Sequence, residues 1–152
     1  MKIAIFEDNY QHMEEAKSVA TELGIEVVTF TKSRHIEDLS EIFIYDRKKR
    51  TYESKVDGII TDLYMPSQCF PAPDYPYGLV IAAHAFRHNV PFVFCTAGFH
   101  HGAKYQMVHE FIMAMDWPQM VDASDSKIGN GEVEHKDWEV AFKEIIKLIK
   151  GR

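Results

Sequence analysis

The chain has 152 residues, 46% of them hydrophobic, which suits the core of one domain and is too many for a disordered chain. Its formal charge of −6 argues against an extended phosphate-binding surface, so we expect no nucleic-acid partner. Cys69 and Cys95 have neither a disulfide framework nor metal-ligand spacing. No run resembles a signal sequence or approaches the roughly 20 apolar residues of a membrane span. We therefore expect one cytoplasmic domain, residues 1–152, without a membrane partner.

The first part of the chain alternates between strand-like and helix-like patterns. A short apolar run, Ile3–Phe6, predicts a strand buried on both faces. A helix capped by Asn9 or Asp8 follows and extends to about Leu23. The β-branched run Ile25–Phe30 predicts the second strand.

The pattern between Thr31 and Lys55 is weaker. A helix opened by Ser33 fits the spacing of the first apolar residues there. The following Ile44–Glu53 stretch either prolongs that helix or forms a β-hairpin, and its β-branched and aromatic residues favour a hairpin or an irregular segment. We interpret 43–55 as an insertion and its basic run, Arg47–Arg50, as a solvated turn.

The rest of the chain contains three more candidate strands and three more candidate helices. The third strand, Val56–Thr61, ends at Asp62, and 67–77 contains three prolines that exclude regular structure, so it is a second insertion. This insertion either packs over the site or docks a partner. The further elements are a helix over Gly78–His88, a strand over Pro91–Thr96, a helix over Ala103–Met115, a weak strand over Gln119–Ala123 and a helix over Asp137–Lys150.

Five strands that alternate with helices predict an α/β fold with a parallel sheet covered on both faces. Right-handed crossovers restrict such a sheet to a doubly wound topology. We therefore expect a flavodoxin-like domain with strand order 2-1-3-4-5.

Polar side chains follow three strands that this order places side by side. Glu7 and Asp8 follow the first strand, Asp62 the third, and Thr96 ends the fourth. Clustered carboxylates repel one another unless a cation lies among them, and oxygen ligands suit Mg²⁺ or Mn²⁺. A divalent metal beside a carboxylate and a hydroxyl donor is the equipment for phosphoryl transfer to that carboxylate.

Three motifs in the order of these strands resemble the response-regulator receiver domain: Phe6-Glu7-Asp8, Thr61-Asp62-Leu63-Tyr64-Met65-Pro66 and Val93-Phe94-Cys95-Thr96-Ala97. The resemblance implies that Asp62 accepts a phosphoryl group from a histidine kinase or a phosphotransfer protein. It implies a Mg²⁺ site formed by Glu7, Asp8, Asp62 and the backbone carbonyl of Tyr64. It also implies that Thr96 and Ala97 contact the phosphoryl group.

The sequence departs from that family at three places. The family's Lys-Pro pair after the fifth strand is missing from Met120–Lys127, so Lys127, or Lys104 from the fourth loop, is the candidate replacement. No aromatic residue occupies the expected position on the fifth strand. The glycine that normally follows the Met-Pro pair closely appears only at Gly78.

These features leave three functional hypotheses. The first is a stand-alone phosphorelay signalling protein that is read by a downstream protein partner, with no enzymatic activity beyond self-phosphorylation and dephosphorylation at Asp62. The second is a degenerate pseudo-receiver that acts as an unphosphorylated adaptor. The third is a small metal-dependent hydrolase, which Tyr64 disfavours because such an enzyme usually has an acid/base carboxylate at that position. We interpret His100 and His101 as exposed loop residues.

Overall fold

The computed structural model describes residues 1–32, 39–65, 76–97, 103–118, 120–121 and 136–152, with the backbone alone at 103–105. Six strands and four helices are formed within these ranges: β1 Lys2–Phe6, α1 Tyr10–Glu22, β2 Glu26–Phe30, β3 Phe43–Asp46, β4 Thr51–Ser54, β5 Gly58–Thr61, α2 Gly78–Arg87, β6 Phe92–Phe94, α3 Ala103–Ala114 and α4 Trp138–Lys150. None of the described helices is long and apolar enough to cross a membrane.

Four parallel strands form the main sheet in the order β2-β1-β5-β6. These are the first four strands of the predicted 2-1-3-4-5 order. The expectation of a five-stranded sheet is wrong for the described residues, because the fifth position is reduced to one parallel bridge between Cys95 and Val121. Pro118, which has no backbone N–H, and the polar residues that follow Val121 leave little chain suited to a buried strand.

Helices cover both faces of the sheet, as expected for a doubly wound fold. Alternate residues of β1 point to opposite faces: Ile3 and Ile5 pack in one core with α1 and α4, whereas Ala4 and Phe6 pack in the other with α2 and α3. Both cores end at the carboxyl edge of the sheet, where the polar residues begin.

A separate antiparallel hairpin, β3–β4, contains the whole Ile44–Glu53 stretch, whose pattern fitted either a helix or a hairpin. The structure confirms the predicted hairpin, and the alternative of a continued helix is wrong. The hairpin is attached to the body through Phe43, which is buried and lies 4.8 Å from His88 between ring centroids. Residues 33–38, where the helix opened by Ser33 was expected, lie outside the described residues.

Two helices begin at capping side chains, the first of which the sequence predicts. The side-chain oxygen of Asn9 accepts hydrogen bonds from the backbone N–H groups of Gln11 and His12, so Asp8 is not used as the cap of α1. Asp137 caps α4 by accepting a hydrogen bond from the backbone N–H of Val140. Each cap lies next to a charged residue of the carboxyl edge, and the two caps fix the directions in which the chain leaves that edge.

Candidate functional site

Three carboxylates lie together at the carboxyl edge of the sheet. Glu7, Asp8 and Asp62 each offer one oxygen atom, and these atoms lie within 4.8 Å of one another. The pairing of Phe6 with Thr61 explains the cluster, because it brings the ends of β1 and β5 to the same level. The structure therefore brings together the acidic residues that the sequence places at neighbouring strand ends.

A buried lysine, Lys136, joins two of these carboxylates. Its Nζ donates a hydrogen bond to Oε2 of Glu7 and lies 3.0 Å from Oδ1 of Asp62. The side chains of Lys136 and Glu7 are each only 1% exposed, whereas that of Asp62 is 15% exposed. The ammonium group thus separates two acidic groups that would otherwise repel each other in a weakly solvated space.

Burial and charge act on the protonation of this cluster in different directions. Burial by itself lowers the pKa of Lys136, but the carboxylates of Asp62 and Glu7 outweigh it and raise that pKa above its usual value. Burial raises the pKa of Glu7, an effect that Lys136 opposes. Burial and then the nearby charge of Asp62 raise the pKa of Asp8. Lys136 therefore keeps its charge, while both carboxyl groups after β1 are easier to protonate than usual.

The backbone around Asp62 is fixed from two sides. Its Oδ1 accepts a hydrogen bond of 2.8 Å from the N–H of Leu63, and its Oδ2 has no hydrogen-bond partner among the described residues. Gly78, the first residue of α2, packs directly on this turn and donates its N–H to the carbonyl of Leu63. A Cβ at position 78 would lie 2.1 Å from the carbonyl oxygen of Asp62, so only glycine fits.

Solved structures with similar architecture cover nearly the whole chain. The response regulator receiver protein from Burkholderia phymatum has a TM-score of 0.60 and 16% identity, over 98% of this chain and 94% of that one. The signal receiver domain of the putative Luxo repressor protein from Vibrio parahaemolyticus has a TM-score of 0.58 and 13% identity, over 99% and 90%. The bacteriophytochrome response regulator AtBRR has a TM-score of 0.55 and 14% identity, over 98% and 91%.

The fold is that of a receiver domain. No protein-family model and no curated protein matches the sequence, so the likeness is one of structure. Within the receiver fold, the acidic cluster occupies the carboxyl ends of β1 and β5, where the sequence motifs placed it.

Among the described residues, the lysine that contacts the acidic cluster is Lys136, whereas the sequence suggested Lys127 or Lys104. Lys127 lies outside the described residues, as does the side chain of Lys104. Lys136 comes nine residues after Lys127 and directly before Asp137, the cap of α4. The sequence signal for Lys136 is its place directly before the start of the last helix, not its distance from the fifth strand.

Thr96 and Ala97 follow the next strand of the receiver sheet. Thr61 pairs with Phe94, so Thr96 lies one residue beyond the level of Asp62 on the adjacent strand. Thr96 is buried, and its N–H donates to the carbonyl of Val121. Tyr64 lies two residues after Asp62 and is half-buried, whereas His100 and His101 fall outside the described residues.

The donor atoms of the cluster suit a hard divalent cation. All three side chains offer oxygen, the ligand atom that Mg²⁺ prefers. Asp8 and Asp62 are partly exposed, which leaves room for the water ligands that Mg²⁺ usually keeps. Glu7 is already engaged by Lys136 and by the N–H of Asn9. Asp8 and Asp62 therefore have the oxygens that are least committed to other partners.

Proposed function

We propose that this protein is a phosphorelay receiver that binds Mg²⁺ and accepts a phosphoryl group on Asp62. The observation that carries the proposal is the contact of the buried Lys136 with both Asp62 and Glu7. Lys136 supplies a positive charge beside Asp62. The lack of the family's Lys-Pro pair after the fifth strand had favoured a degenerate domain without such a charge. A lysine beside the acceptor can pair with the phosphoryl oxygens through charge-assisted hydrogen bonds.

The residues of the cluster would take distinct roles. Glu7, Asp8, Asp62 and the backbone carbonyl of Tyr64 would hold Mg²⁺, which when bound supplies positive charge to the oxygens of the phosphoryl group. Thr96 and the N–H of Ala97 would donate to those oxygens, and Lys136 would pair with them from the side of the last helix. The raised pKa of Lys136 keeps this group a donor at neutral pH.

The transfer step requires no other catalytic group from this chain. A carboxylate oxygen of Asp62 attacks the phosphorus of a phosphohistidine, a P–O bond forms, the P–N bond breaks, and the leaving imidazole takes up a proton. The donor would be a histidine kinase or a phosphotransfer protein. The signal would pass on by contact with a downstream protein, and the only activity of the chain itself would be phosphorylation and dephosphorylation at Asp62.

A second candidate function is an adaptor that keeps the acidic pocket without being phosphorylated. The observation in its favour is that Met120 and Val121 occupy the stretch where the receiver family has an aromatic residue. Val121 is buried and paired with Cys95 through a β-bridge. Because its side chain is aliphatic, it offers no aromatic ring that could move between two positions. An adaptor would bind its partner equally well with and without a phosphoryl donor.

Intact-mass spectrometry with acetyl phosphate and Mg²⁺ separates these two candidates. We expect a phosphorylated species of the wild-type protein that is missing from Asp62→Ala and is retained in Asp116→Asn, a matched change at an exposed carboxylate. Beryllofluoride, which binds without covalent transfer, should protect the wild-type chain but not Asp62→Ala against thermal unfolding. A wild-type protein unchanged by both reagents would eliminate the phosphoacceptor and leave the adaptor.

A further inference from the structure

The β3–β4 hairpin carries a concentrated positive charge on an otherwise acidic protein. Residues Arg47, Lys48, Lys49 and Arg50, here called the basic turn, connect the two strands, and all four are exposed. They account for four of the 17 Lys and Arg residues, so 13 remain against 23 Asp and Glu residues elsewhere. The charge of the turn is therefore opposite to that of the rest of the chain.

Hydrogen bonds and ion pairs within the hairpin hold the basic turn, and Lys49 is the one of its four cations that takes part in the ion pairs. Oδ1 of Asp46 accepts hydrogen bonds from the N–H groups of Lys48 and Lys49. The Nζ of Lys49 pairs with the carboxylates of Asp46 and Glu53. Arg47, Lys48 and Arg50 are exposed and have no acidic partner among the described residues. Their three charges are therefore available to a partner.

The backbone of Arg50 gives independent support for a role of its side chain. Its φ of +55° lies in the left-handed region, which favours glycine or asparagine at the end of a hairpin turn. A residue with a long side chain pays a conformational cost there. An arginine at this position is better explained by a contact that its guanidinium makes than by the turn itself.

Exposed apolar side chains beside the basic turn indicate which class of partner the hairpin suits. Ile44 on β3 is 52% exposed, and Tyr45, on the opposite face of the strand, is 48% exposed with its ring 5.1 Å from that of Tyr52 between centroids. Tyrosine and arginine are enriched at the centres of protein interfaces. We propose that the hairpin docks a protein segment that combines acidic residues with apolar ones.

Nucleic acid fits this surface less well. Duplex DNA carries a charge about every 1.7 Å. Its phosphates would extend beyond the three cations that lack an acidic partner among the described residues and would meet a chain of net negative charge. An acidic peptide can place its charged residues opposite the basic turn and an apolar residue on Ile44. The charge pattern of the chain thus favours the protein partner.

The hairpin lies at the end of the sheet away from Asp62. From β4 the chain passes through Val56 and Asp57 into the start of β5, and Asp62 follows the other end of that strand. Four residues of strand separate these ends by about 13 Å. Phe43 packs against His88, which follows the carboxyl end of α2 and so lies at the same end as the hairpin base. The residues proposed to dock the segment include none of the acidic cluster, so docking does not depend on phosphorylation of Asp62.

Fluorescence anisotropy tests the docking surface with a short labelled peptide built from Glu, Leu and Tyr. We expect the wild-type chain to bind it, and not to bind the Gln, Leu and Tyr counterpart. The R47Q/K48Q/R50G variant should bind about tenfold more weakly, because three ion pairs are lost. K143Q/K147Q/K150Q removes the same charge from exposed positions of α4 and should bind as the wild type does.

Two further variants keep the test independent of folding. Arg50→Gly relieves the left-handed strain, so its Tm should be unchanged or higher while binding weakens. Ile44→Ser should weaken binding severalfold without changing its salt dependence. Failure of the Glu peptide to bind, or equal loss in both triple variants, would overturn the proposal. Tighter binding of a single-stranded oligonucleotide would replace it with a nucleic-acid surface.

Discussion

The ammonium group of Lys136 is the positive charge that the described residues place between Glu7 and Asp62. Replacement of Lys136 by Met keeps the apolar stem and removes that charge, which leaves the two carboxylates facing each other. Without Mg²⁺, we expect the free energy of unfolding to fall by about 3–5 kcal/mol, the usual cost of removing one partner of a buried ion pair. Urea unfolding measures this loss.

The same substitution should strengthen the binding of Mg²⁺, because a competing cation is gone and the acidic charge remains. Isothermal titration calorimetry of Lys136→Met against the wild type measures this gain. Lys143→Met, an exposed change on α4, serves as the control and should alter neither quantity. If Lys136→Met unfolds like the wild type, the buried ion pairs are not formed in solution.

The protonation of Glu7 and Asp8 gives a pH prediction. Burial raises the pKa of both groups, so protons compete with a metal at a higher pH than they do at exposed carboxylates. The usual pKa is about 4.3 for an exposed Glu and about 3.9 for an exposed Asp. Mg²⁺ affinity should therefore fall on acidification before those values are reached. Calorimetric titrations from neutral to mildly acidic pH measure the fall.

The Glu7→Gln variant is the matched control for this pH dependence. It should bind Mg²⁺ more weakly at neutral pH and show a smaller change on acidification, since one of the two perturbed groups is gone.

A raised pKa in the folded state also means that stability from this group is present at low pH and is lost as the pH rises through the folded value. An affinity that is flat through mildly acidic pH would contradict the assignment of Glu7.

How far the sequence predicts the site depends on whether each residue directly follows an apolar strand. Glu7, Asp8 and Asp62 could be predicted because each follows an apolar run, and parallel strands bring such ends to one edge. Lys136 could not be found by that rule. It directly precedes a helix cap, Asp137, rather than following a strand, and residues 122–135 separate it from the last strand-like residue.

At the scale of elements, patterns with a strong period were predicted well. The strands of the main sheet and the four helices follow their apolar periodicity, and the hairpin follows its β-branched and aromatic residues. The described part of the fifth strand is shorter than predicted, because an apolar pair such as Met120 and Val121 cannot specify how far pairing with β6 extends. That extent depends on the backbone hydrogen bonds around Cys95, which a sequence pattern does not contain.

The junction between β5 and α2 depends on Gly78. A methyl group there would overlap the carbonyl oxygen of Asp62 and the Cα of Leu63, so either α2 or the Asp62 turn must move. We expect Gly78→Ala to lower the free energy of unfolding by about 1–3 kcal/mol, the usual cost of overpacking, and to weaken Mg²⁺ binding as well. Urea unfolding and calorimetry measure the two effects.

Gly151→Ala is a suitable control for that junction, since position 151 lies at the exposed end of α4 with its nearest backbone atom at 3.3 Å. Both variants lose one glycine and gain one methyl group, but only the change at position 78 touches the site. If Gly78→Ala lowers stability and leaves Mg²⁺ affinity intact, α2 moves alone and the Asp62 turn is independent of it.

At the scale of the whole molecule, the acidic site closes the two cores at one edge of the sheet. Each core lies on one face of β1 and β5, and Glu7, Asp62 and Lys136 link the strands to the start of α4. Trp138, fully buried two residues after Lys136, joins this link to the core that contains α1 and α4. A ligand of the site should therefore stabilise the entire domain.

Thermal unfolding with Mg²⁺ tests this coupling. At a free concentration one hundred times the dissociation constant, a ligand of the folded state alone adds about 2.7 kcal/mol. For a chain of this length, that corresponds to a rise in Tm of about 5–11 °C. The gain should nearly disappear in Asp8→Asn, which removes one carboxylate, and persist in Asp116→Asn. Sodium chloride at equal ionic strength should give no comparable rise. If both salts raise Tm alike, general screening of the negative charge explains the effect and the carboxylate cluster binds no specific cation.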